Sequence, residues 1–204
     1  MQLIGMLDSP FVRRVAISMK LMEIPYEHRP LSVFRNYDEF RAINPAVKVP
    51  TLICDDGVVL MDSTLILDYL ESRVPVEKRL MPIDPAARRE ALKNIGVALA
   101  VCEKSVQRFY ELTLRPADKQ HLPWLDRVTR QMHGALAVME VALGTASPWL
   151  HGERFSQDDI CVAVAWRFTQ HVMADAVRSA DYPRLAAYSA RAELRPEFLQ
   201  TPLD

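Results

Sequence analysis

The sequence predicts a small α/β domain followed by an all-α domain. The first 74 residues alternate between short apolar runs typical of strands and apolar spacings of three and four typical of helices. Beyond residue 85 only the helical spacing recurs, and the stretch from Val74-Pro75 to Pro85 has no clear period. We therefore predict domains at residues 1–75 and 86–204, joined by a linker at residues 76–85.

Composition limits the classes of partner. The chain has 204 residues, half of them apolar and a quarter charged, with a formal net charge of −1. Such a chain can bury its own core, and its weak overall field favours neither nucleic acid nor an anionic membrane. Two basic pairs, Arg13-Arg14 and Arg88-Arg89, are interpreted as solvated helix faces. No signal peptide or membrane-spanning stretch is found, so we expect a cytoplasmic protein.

The spacing of cysteines and histidines does not indicate a metal site. Cys54, Cys102 and Cys161 are far apart in the sequence and form no Cys-x-x-Cys pair, which favours buried thiols in a reducing compartment. Four histidines likewise lack metal-ligand spacing with any Cys or acidic residue: His121, His133, His151 and His171. We expect no bound metal.

Each element of the first domain has a local signal. A short apolar run at Gln2 to Gly5 predicts a strand, and Ser9-Pro10 predicts a helix start. Tyr26 to Leu31 predicts a second strand, and a short helix is expected around Tyr37 to Arg41. The apolar stripe of the first helix is predicted at Val12, Val15, Ala16 and Met19.

The remaining elements of the first domain are a hairpin and a helix. Thr51 to Cys54 and Val58 to Met61 are β-prone runs around Asp55-Asp56-Gly57, which suits a tight turn. Asp62-Ser63 is a helix start. The apolar positions of that helix are Leu65, Ile66, Tyr69 and Leu70.

The second domain reads as packed helices. Ser156-x-x-Asp159 resembles a capping box before an entirely apolar run, Ile160 to Trp166, and Tyr182-Pro183 opens a last helix through Ala192. A long helix is predicted to face a core with Leu92, Ile95, Leu99, Cys102, Val106 and Phe109. Its antiparallel neighbour is predicted to do so with Leu125, Val128, Met132, Leu136, Met139 and Leu143.

Three N-terminal motifs, in this order of elements, resemble the cytosolic glutathione transferase family, in its bacterial serine-type form. They are Ser9-Pro10-Phe11-Val12-Arg13-Arg14-Val15, Lys48-Val49-Pro50-Thr51-Leu52 and Asp62-Ser63. The segment Gly152…Ser156-x-x-Asp159-Ile160 is similar to the family's C-terminal folding motif. The resemblance implies a thioredoxin-like glutathione-binding domain, then an all-α domain contributing the electrophile site. It also implies glutathione as co-substrate and a homodimer.

Ser9 is the candidate catalytic residue. A serine at a helix N-terminus is most often a simple N-cap, but its hydroxyl also lies where backbone N–H groups favour an anion. A free thiol has a pKa of about 8.5, so most of it is protonated at neutral pH. A hydrogen bond donated by the Ser9 hydroxyl to the sulfur would stabilise the thiolate and increase its fraction. The resemblance implies that, in the family, the residue at this position acts on the glutathione sulfur.

The other motifs supply candidate glutathione-binding residues. The resemblance implies a cis bond at Val49-Pro50, which would free the Val49 N–H and C=O to pair with the peptide backbone of glutathione; a trans strand start is the plain alternative. Asp62 and Ser63 either cap a helix or hold the glutamyl end. Lys48 and Arg35 are candidates for the glycyl carboxylate, or ordinary surface charges.

The second-substrate pocket is only outlined by aromatic residues. Phe11, Phe34, Phe109 and Tyr110, with Met6, are candidates for the electrophile site, although aromatics at helical spacing are more often core. The function expected is transfer of glutathione to a hydrophobic electrophile, a detoxification chemistry, or use of glutathione in a related reduction. A glutathione-dependent isomerase and a non-catalytic protein acting through protein contacts stay as alternatives. The isomerase branch is expected to carry a Ser-Ser-Cys-Ser-like run where this chain has Leu7-Asp8-Ser9-Pro10.

Overall fold

The computed structural model describes residues 1–146 and 148–203, so residues 147 and 204 of the predicted helical domain lie outside the described residues. Contacts divide the chain into two units. The first comprises Met1–Met81 together with Leu194–Asp204, and the second comprises Pro82–Glu193. The division at Met81 falls within the predicted linker. The return of the C-terminus to the first unit is not anticipated by the sequence, which assigns those residues to the helical region.

The first unit contains a four-stranded mixed sheet in the order β2-β1-β3-β4. Strands β1 and β2 are parallel, whereas β3 is antiparallel to both β1 and β4. The strands are β1 (Gln2–Ile4), β2 (Glu27–Arg29), β3 (Thr51–Ile53) and β4 (Val59–Met61). The helices of this unit are α1 (Pro10–Leu21), α2 (Tyr37–Ile43), α3 (Ser63–Ser72) and the short α8 (Pro196–Leu199). A 3₁₀ turn covers Val76–Lys78. The predicted element order of the α/β domain is confirmed.

Helix α1 buries its predicted apolar stripe completely. Val12, Val15, Ala16 and Met19 have no exposed surface. The interpretation of Arg13-Arg14 as a solvated face is wrong, because the two side chains are only 1% and 3% exposed. Arg88 and Arg89, in contrast, are exposed as expected.

Arg13 is buried because the C-terminal segment covers it. Its Nε donates to the Thr201 carbonyl at 2.8 Å, and its guanidinium carbon lies 5.5 Å from the centroid of the Phe198 ring. Nearby, Lys20 Nζ donates to Gln200 Oε1 at 3.1 Å. The segment that contains α8 therefore forms part of the first unit's packing.

The second unit is built from long helices that pack on one another. They are α4 (Pro85–Thr113), α5 (Leu122–Ala142), α6 (Gln157–Met173) and α7 (Pro183–Glu193). Helix α4 packs against both α5 and α6, and α6 packs against α7. Short 3₁₀ turns lie at Ala117–Lys119, Leu143–Thr145 and Ser179–Asp181. The predicted all-α architecture is confirmed, and α8 adds a turn of helix after the predicted last one.

The buried face of α4 differs from the predicted one. Leu92 is 53% exposed, whereas Ala91, Ala98 and Ser105 are buried beside Ile95 and Cys102. Small residues occupy much of the helix contact, so a pattern of large apolar residues alone misplaces the buried stripe. Helix α5 matches its prediction better. All of its predicted core positions are buried except Leu125, which is half-buried.

Helix α6 is surrounded by protein, as its continuous apolar run predicts. Its start is a capping box in which Asp159 Oδ2 accepts from the Ser156 N–H at 2.6 Å. Asp159 Oδ1 accepts from the Leu150 N–H at 2.9 Å and from the Tyr188 hydroxyl. Burial raises the pKa of Asp159 above its usual value despite these donors. The acid thus joins the start of α6 to α7.

Within the described residues, none of the helices combines the length and apolar character needed to cross a membrane.

Gly5 lies where α1 and the loop before β3 come close to the end of β1. Its φ is +136°, and a Cβ there would come within 2.6 Å of Val12 Cγ2 and 2.9 Å of Val49 Cγ1. We expect Gly5→Ala to lower the free energy of unfolding by about 2–4 kcal/mol, since backbone strain and overpacking add. Urea unfolding followed by circular dichroism measures the change.

Two other glycines separate the backbone strain of Gly5→Ala from its overpacking. Gly57 has a φ of +85° but open space around it, so Gly57→Ala should show the backbone cost alone. Gly134 lies in helix α5 with open space, so Gly134→Ala should stabilise by about 0.5–1 kcal/mol. A Gly5→Ala protein as stable as the Gly134→Ala protein would contradict the close-packing argument.

Candidate functional site

Ser9 is the N-cap residue of α1, but its hydroxyl does not act as a cap. The backbone of Ser9 is extended, and its carbonyl accepts the first helical bond from the Arg13 N–H at 2.9 Å. Its side chain makes no capping hydrogen bond. Pro10 follows at the first helical position, as predicted. The half-buried hydroxyl is therefore at the positive end of a helix without being used to complete that helix.

The loop before β3 presents an unpaired stretch of backbone. The Val49–Pro50 bond is cis, as the resemblance implies. Asn44 and Thr51 hold this loop through the Asn44 Nδ2 bond to Thr51 Oγ1 and the Thr51 Oγ1 bond to the Lys48 carbonyl, both at 2.8 Å. Among the described residues, the Val49 N–H and C=O have no hydrogen-bond partner. Val49 thus has the free donor and acceptor that an added strand requires.

Asp62 caps α3 and pairs with Lys48. Its φ is +74°, its Oδ1 accepts from the Thr64 N–H at 2.9 Å, and its Oδ2 lies 3.4 Å from Lys48 Nζ. Burial alone would raise the pKa of Asp62, but the Thr64 N–H and the Lys48 ammonium outweigh it and the pKa is lowered. Both side chains are largely exposed, so the pair contributes little to stability. The pair joins the start of α3 to the cis-proline loop.

Ser63, the first residue of α3, is buried against a residue of α1. Arg14 Nη1 donates to Ser63 Oγ at 3.2 Å and lies 3.5 Å from Thr64 Oγ1. This contact joins α1 to α3. Sequence reasoning missed Arg14, since nothing in an Arg-Arg pair shows which member turns inward.

Arg35 lies beside the loop between β1 and α1. Its Nη2 is 4.0 Å from Met6 Sδ, and its backbone N–H donates to Ser32 Oγ at 3.2 Å. The Arg35 side chain is exposed. The Arg35–Met6 contact joins the segment before α2 to the loop that follows β1.

The aromatic candidates are divided between the two units. Phe11 is half-buried in the first turn of α1, and Phe34 is exposed beside Arg35. Phe109 and Tyr110 are neighbours in α4, with ring centroids 6.2 Å apart. Their assignment to an electrophile site stays a prediction.

The part of the chain that the structure describes contains no group of three or more His, Cys, Asp or Glu side chains able to hold a metal ion. All three cysteines are buried and free, as predicted. His151 instead contacts a buried acid, with Nε2 3.0 Å from Asp158 Oδ2.

Comparison with protein families matches both parts of the chain. Residues 3–79 match the glutathione S-transferase N-terminal domain, and residues 123–191 match the glutathione S-transferase C-terminal domain. Among curated proteins, rat maleylacetoacetate isomerase is 29% identical over 74% of this chain and 69% of its own. Glutathione S-transferase GstA of Escherichia coli O157:H7 is 28% identical over 79% of this chain and 76% of its own.

Solved structures give the same answer for the fold. A glutathione S-transferase from Methylobacterium radiotolerans, in complex with glutathione sulfonate, superposes with a TM-score of 0.91 at 29% identity, covering 100% of this chain and 95% of its own. A glutathione transferase family member from Pseudomonas fluorescens Pf-5 with bound glutathione gives 0.84 at 29% identity, covering 100% and 98%.

The free energy of unfolding of a Ser9 variant distinguishes a capping role of Ser9 from any other role. Ser9→Ala should change the free energy of unfolding by less than about 0.5 kcal/mol, because no capping bond is lost. Asp84 precedes Pro85 in the same way, but its Oδ1 accepts from the N–H groups of Ala86 and Ala87. Asp84→Ala should therefore cost about 0.5–2 kcal/mol. Equal losses in urea unfolding would show that Ser9 is a cap after all.

Proposed function

The chain belongs to the glutathione S-transferase family, and we propose that it binds glutathione in its first unit as the thiolate and transfers it to a hydrophobic electrophilic small molecule. The observation that carries this proposal is the Ser9 hydroxyl, which lies at the N-terminus of α1 and makes no capping bond. If Ser9 served only as a helix cap, its hydroxyl would accept a hydrogen bond from a backbone N–H in the first turn of α1. The solved relatives with glutathione or glutathione sulfonate bound support the choice of co-substrate.

Ser9 donates its hydroxyl to the glutathione sulfur. The donated hydrogen bond and the positive end of α1 both stabilise the charged form of the thiol, which lowers its pKa toward neutrality. Ser9 forms no covalent bond, since the sulfur of glutathione is the nucleophile. The catalytic gain comes from a larger thiolate fraction and from holding that thiolate beside the electrophile.

The peptide backbone of glutathione pairs with Val49. The free N–H and C=O of Val49 match the acceptor and donor of one peptide unit, and the Asn44–Thr51–Lys48 bonds keep this loop rigid. Arg35 and Lys48 are the cations assigned to the glycyl carboxylate. Lys48 must share its ammonium with Asp62.

The glutamyl end is assigned to Asp62 and Ser63. The lowered pKa of Asp62 keeps its carboxylate ionised, which suits the α-ammonium of the glutamyl group. The Ser63 hydroxyl and the N-terminus of α3 suit the α-carboxylate.

The electrophile site is proposed from Phe11, Phe34, Phe109 and Tyr110, and conjugation of this kind serves detoxification in the cytoplasm. The identity to rat maleylacetoacetate isomerase favours a second candidate, a glutathione-dependent isomerase. The run Leu7-Asp8-Ser9-Pro10 counts against it, because that branch is expected to carry Ser-Ser-Cys-Ser. Measuring both conjugation and cis–trans isomerisation of a maleyl substrate distinguishes the two, and a non-catalytic protein would show neither.

A homodimer is part of the proposal. The first unit exposes apolar side chains on β4 and α3, at Val59, Met61 and Leu65. Leu92 is exposed on α4 of the second unit. Exposed apolar side chains grouped on one sheet edge and its adjoining helix support the proposal that a second copy covers this surface. Tyr69 on α3 and Leu99 on α4, both half-buried, are the other residues assigned to the dimer contact, in which the first unit of one subunit packs on the long helices of its partner.

Ser9→Ala tests the proposed chemistry. Conjugation of glutathione to a chromogenic electrophile should fall about ten- to a hundredfold at neutral pH, the loss typical of one charge-assisted hydrogen bond. The apparent pKa of bound glutathione, followed by thiolate absorbance, should rise toward that of free thiol. Ser18→Ala, also in α1 but with its hydroxyl bonded to the Arg14 carbonyl, is the matched control. Wild-type conjugation rates from Ser9→Ala between about pH 6 and 9, a window around the thiol pKa, would overturn the role of Ser9.

The dimer is tested by sedimentation at micromolar concentration. The wild type should sediment at twice the mass of one chain, and Leu65→Glu should shift it toward one chain, since a charge would be buried at the contact. Leu65 is 66% exposed; Leu194, 75% exposed, provides Leu194→Glu as the control that should stay dimeric. A wild type with the mass of one chain only would refute the dimer.

A further inference from the structure

Arg14 is a buried cation without a counter-charge. Its side chain is 3% exposed, and its hydrogen bonds go only to the hydroxyls of Ser63 and Thr64. Its Nε is buried and has no hydrogen-bond partner. Among the described residues, no carboxylate lies within 4.0 Å of its guanidinium. An arginine stays charged in a protein, and burying its charge is costly unless an anion pairs with it.

The direction of the Arg14 contact defines how Ser63 can act. A guanidinium can only donate, so Ser63 Oγ must accept the bond from Arg14 Nη1. Its own hydrogen is then free to be donated to an incoming acceptor. The contact therefore fixes the Ser63 hydroxyl as a donor at the first turn of α3, where a second donor is the backbone N–H of Ser63.

The charges around the start of α3 do not cancel. Lys48 and Asp62 neutralise one another at 3.4 Å, which leaves the Arg14 guanidinium as the uncompensated charge of this cluster. A carboxylate that accepts from Ser63 would bring a negative charge close to that cation. In a buried setting, such an interaction is screened less than one at the surface.

We propose that Arg14 is a positioning residue for glutathione, acting through Ser63: it orients the Ser63 hydroxyl toward the glutamyl α-carboxylate and provides the positive charge that the carboxylate neutralises. This inference rests on the proposed function. Arg14 contacts the serine and not the ligand, and its effect is on binding, because the glutamyl end is remote from the sulfur chemistry. In the free protein, burying the unpaired charge of Arg14 costs free energy. The glutamyl carboxylate removes that cost when glutathione binds.

The proposal is tested with Arg14→Met, which keeps the length and removes the charge. Glutathione binding by calorimetry should weaken about tenfold or more, with KM for glutathione raised, kcat kept and the pKa of the bound thiol unchanged. The free protein should be as stable as the wild type or more so, since replacing a buried charge by an apolar side chain is often stabilising. A merely structural Arg14 gives the reverse result: stability lost and affinity for glutathione kept.

Three comparisons complete the experiment. In a Ser63→Ala background, Arg14→Met should have a much smaller effect, because the route through Ser63 is already lost. Cysteinylglycine, which lacks the glutamyl group, should bind equally to the wild type and Arg14→Met. Should Arg14→Met fail to fold, Arg14→Lys and Arg14→Gln replace it, and lysine should retain more affinity than glutamine.

The outcomes are distinguishable. A wild type that does not bind glutathione in calorimetry overturns the proposed function and this inference with it. A wild type that binds, with Arg14→Met binding equally well, overturns the role of Arg14 alone. Equal loss of glutathione and cysteinylglycine affinity also overturns it, because the effect would not depend on the glutamyl carboxylate.

Discussion

At Gly5 the end of β1 has no room for a side chain, because Val12 of α1 and Val49 of the cis-proline loop close on it from two sides. This approach determines where α1 begins relative to the sheet and how near the loop before β3 lies to it. Ser9, at the start of α1, and the unpaired backbone of Val49 are consequently presented from adjoining segments. The Lys48–Asp62 pair and the Arg14–Ser63 bond then join the start of α3 to the same region. The candidate site is thus a product of tight packing between small and β-branched residues.

The helix starts of this chain use polar side chains in different ways. Asp84 and Asp62 accept from backbone N–H groups and so complete their own helices. Asp159 reaches back to the Ser156 backbone and also holds α7 through Tyr188. Ser9 does neither. The contrast matters for function because a helix terminus that is already satisfied offers less to an anion than one whose polar groups are still available.

The sequence predicted most of the fold because its elements differ in hydrophobic period and are separated by clear turn residues. The stripe of α1, the β3–β4 hairpin and the buried α6 were all predictable from local patterns. The core face of α4 was not, because Ala91, Ala98 and Ser105 carry much of that contact and small residues give a weak periodic signal. Ser9, Val49, Asp62 and Ser63 were named as candidates from motifs and a family resemblance, and their roles stay predictions. Arg14 was misread as a surface charge, since its burial depends on Ser63, a residue 49 positions away in the sequence. Periodicity within one helix cannot show such a contact.

The C-terminal segment that contains α8 has a consequence for folding during synthesis. Arg13 is translated well before Phe198 and Thr201, which cover it, because Thr201 lies 188 positions further along the chain. During synthesis the strands and helices of the first unit therefore exist before the segment that covers Arg13 has been made. A nascent chain usually folds its N-terminal domain first. In this protein the bond from Arg13 to the Thr201 carbonyl can form only after the whole helical unit has been translated.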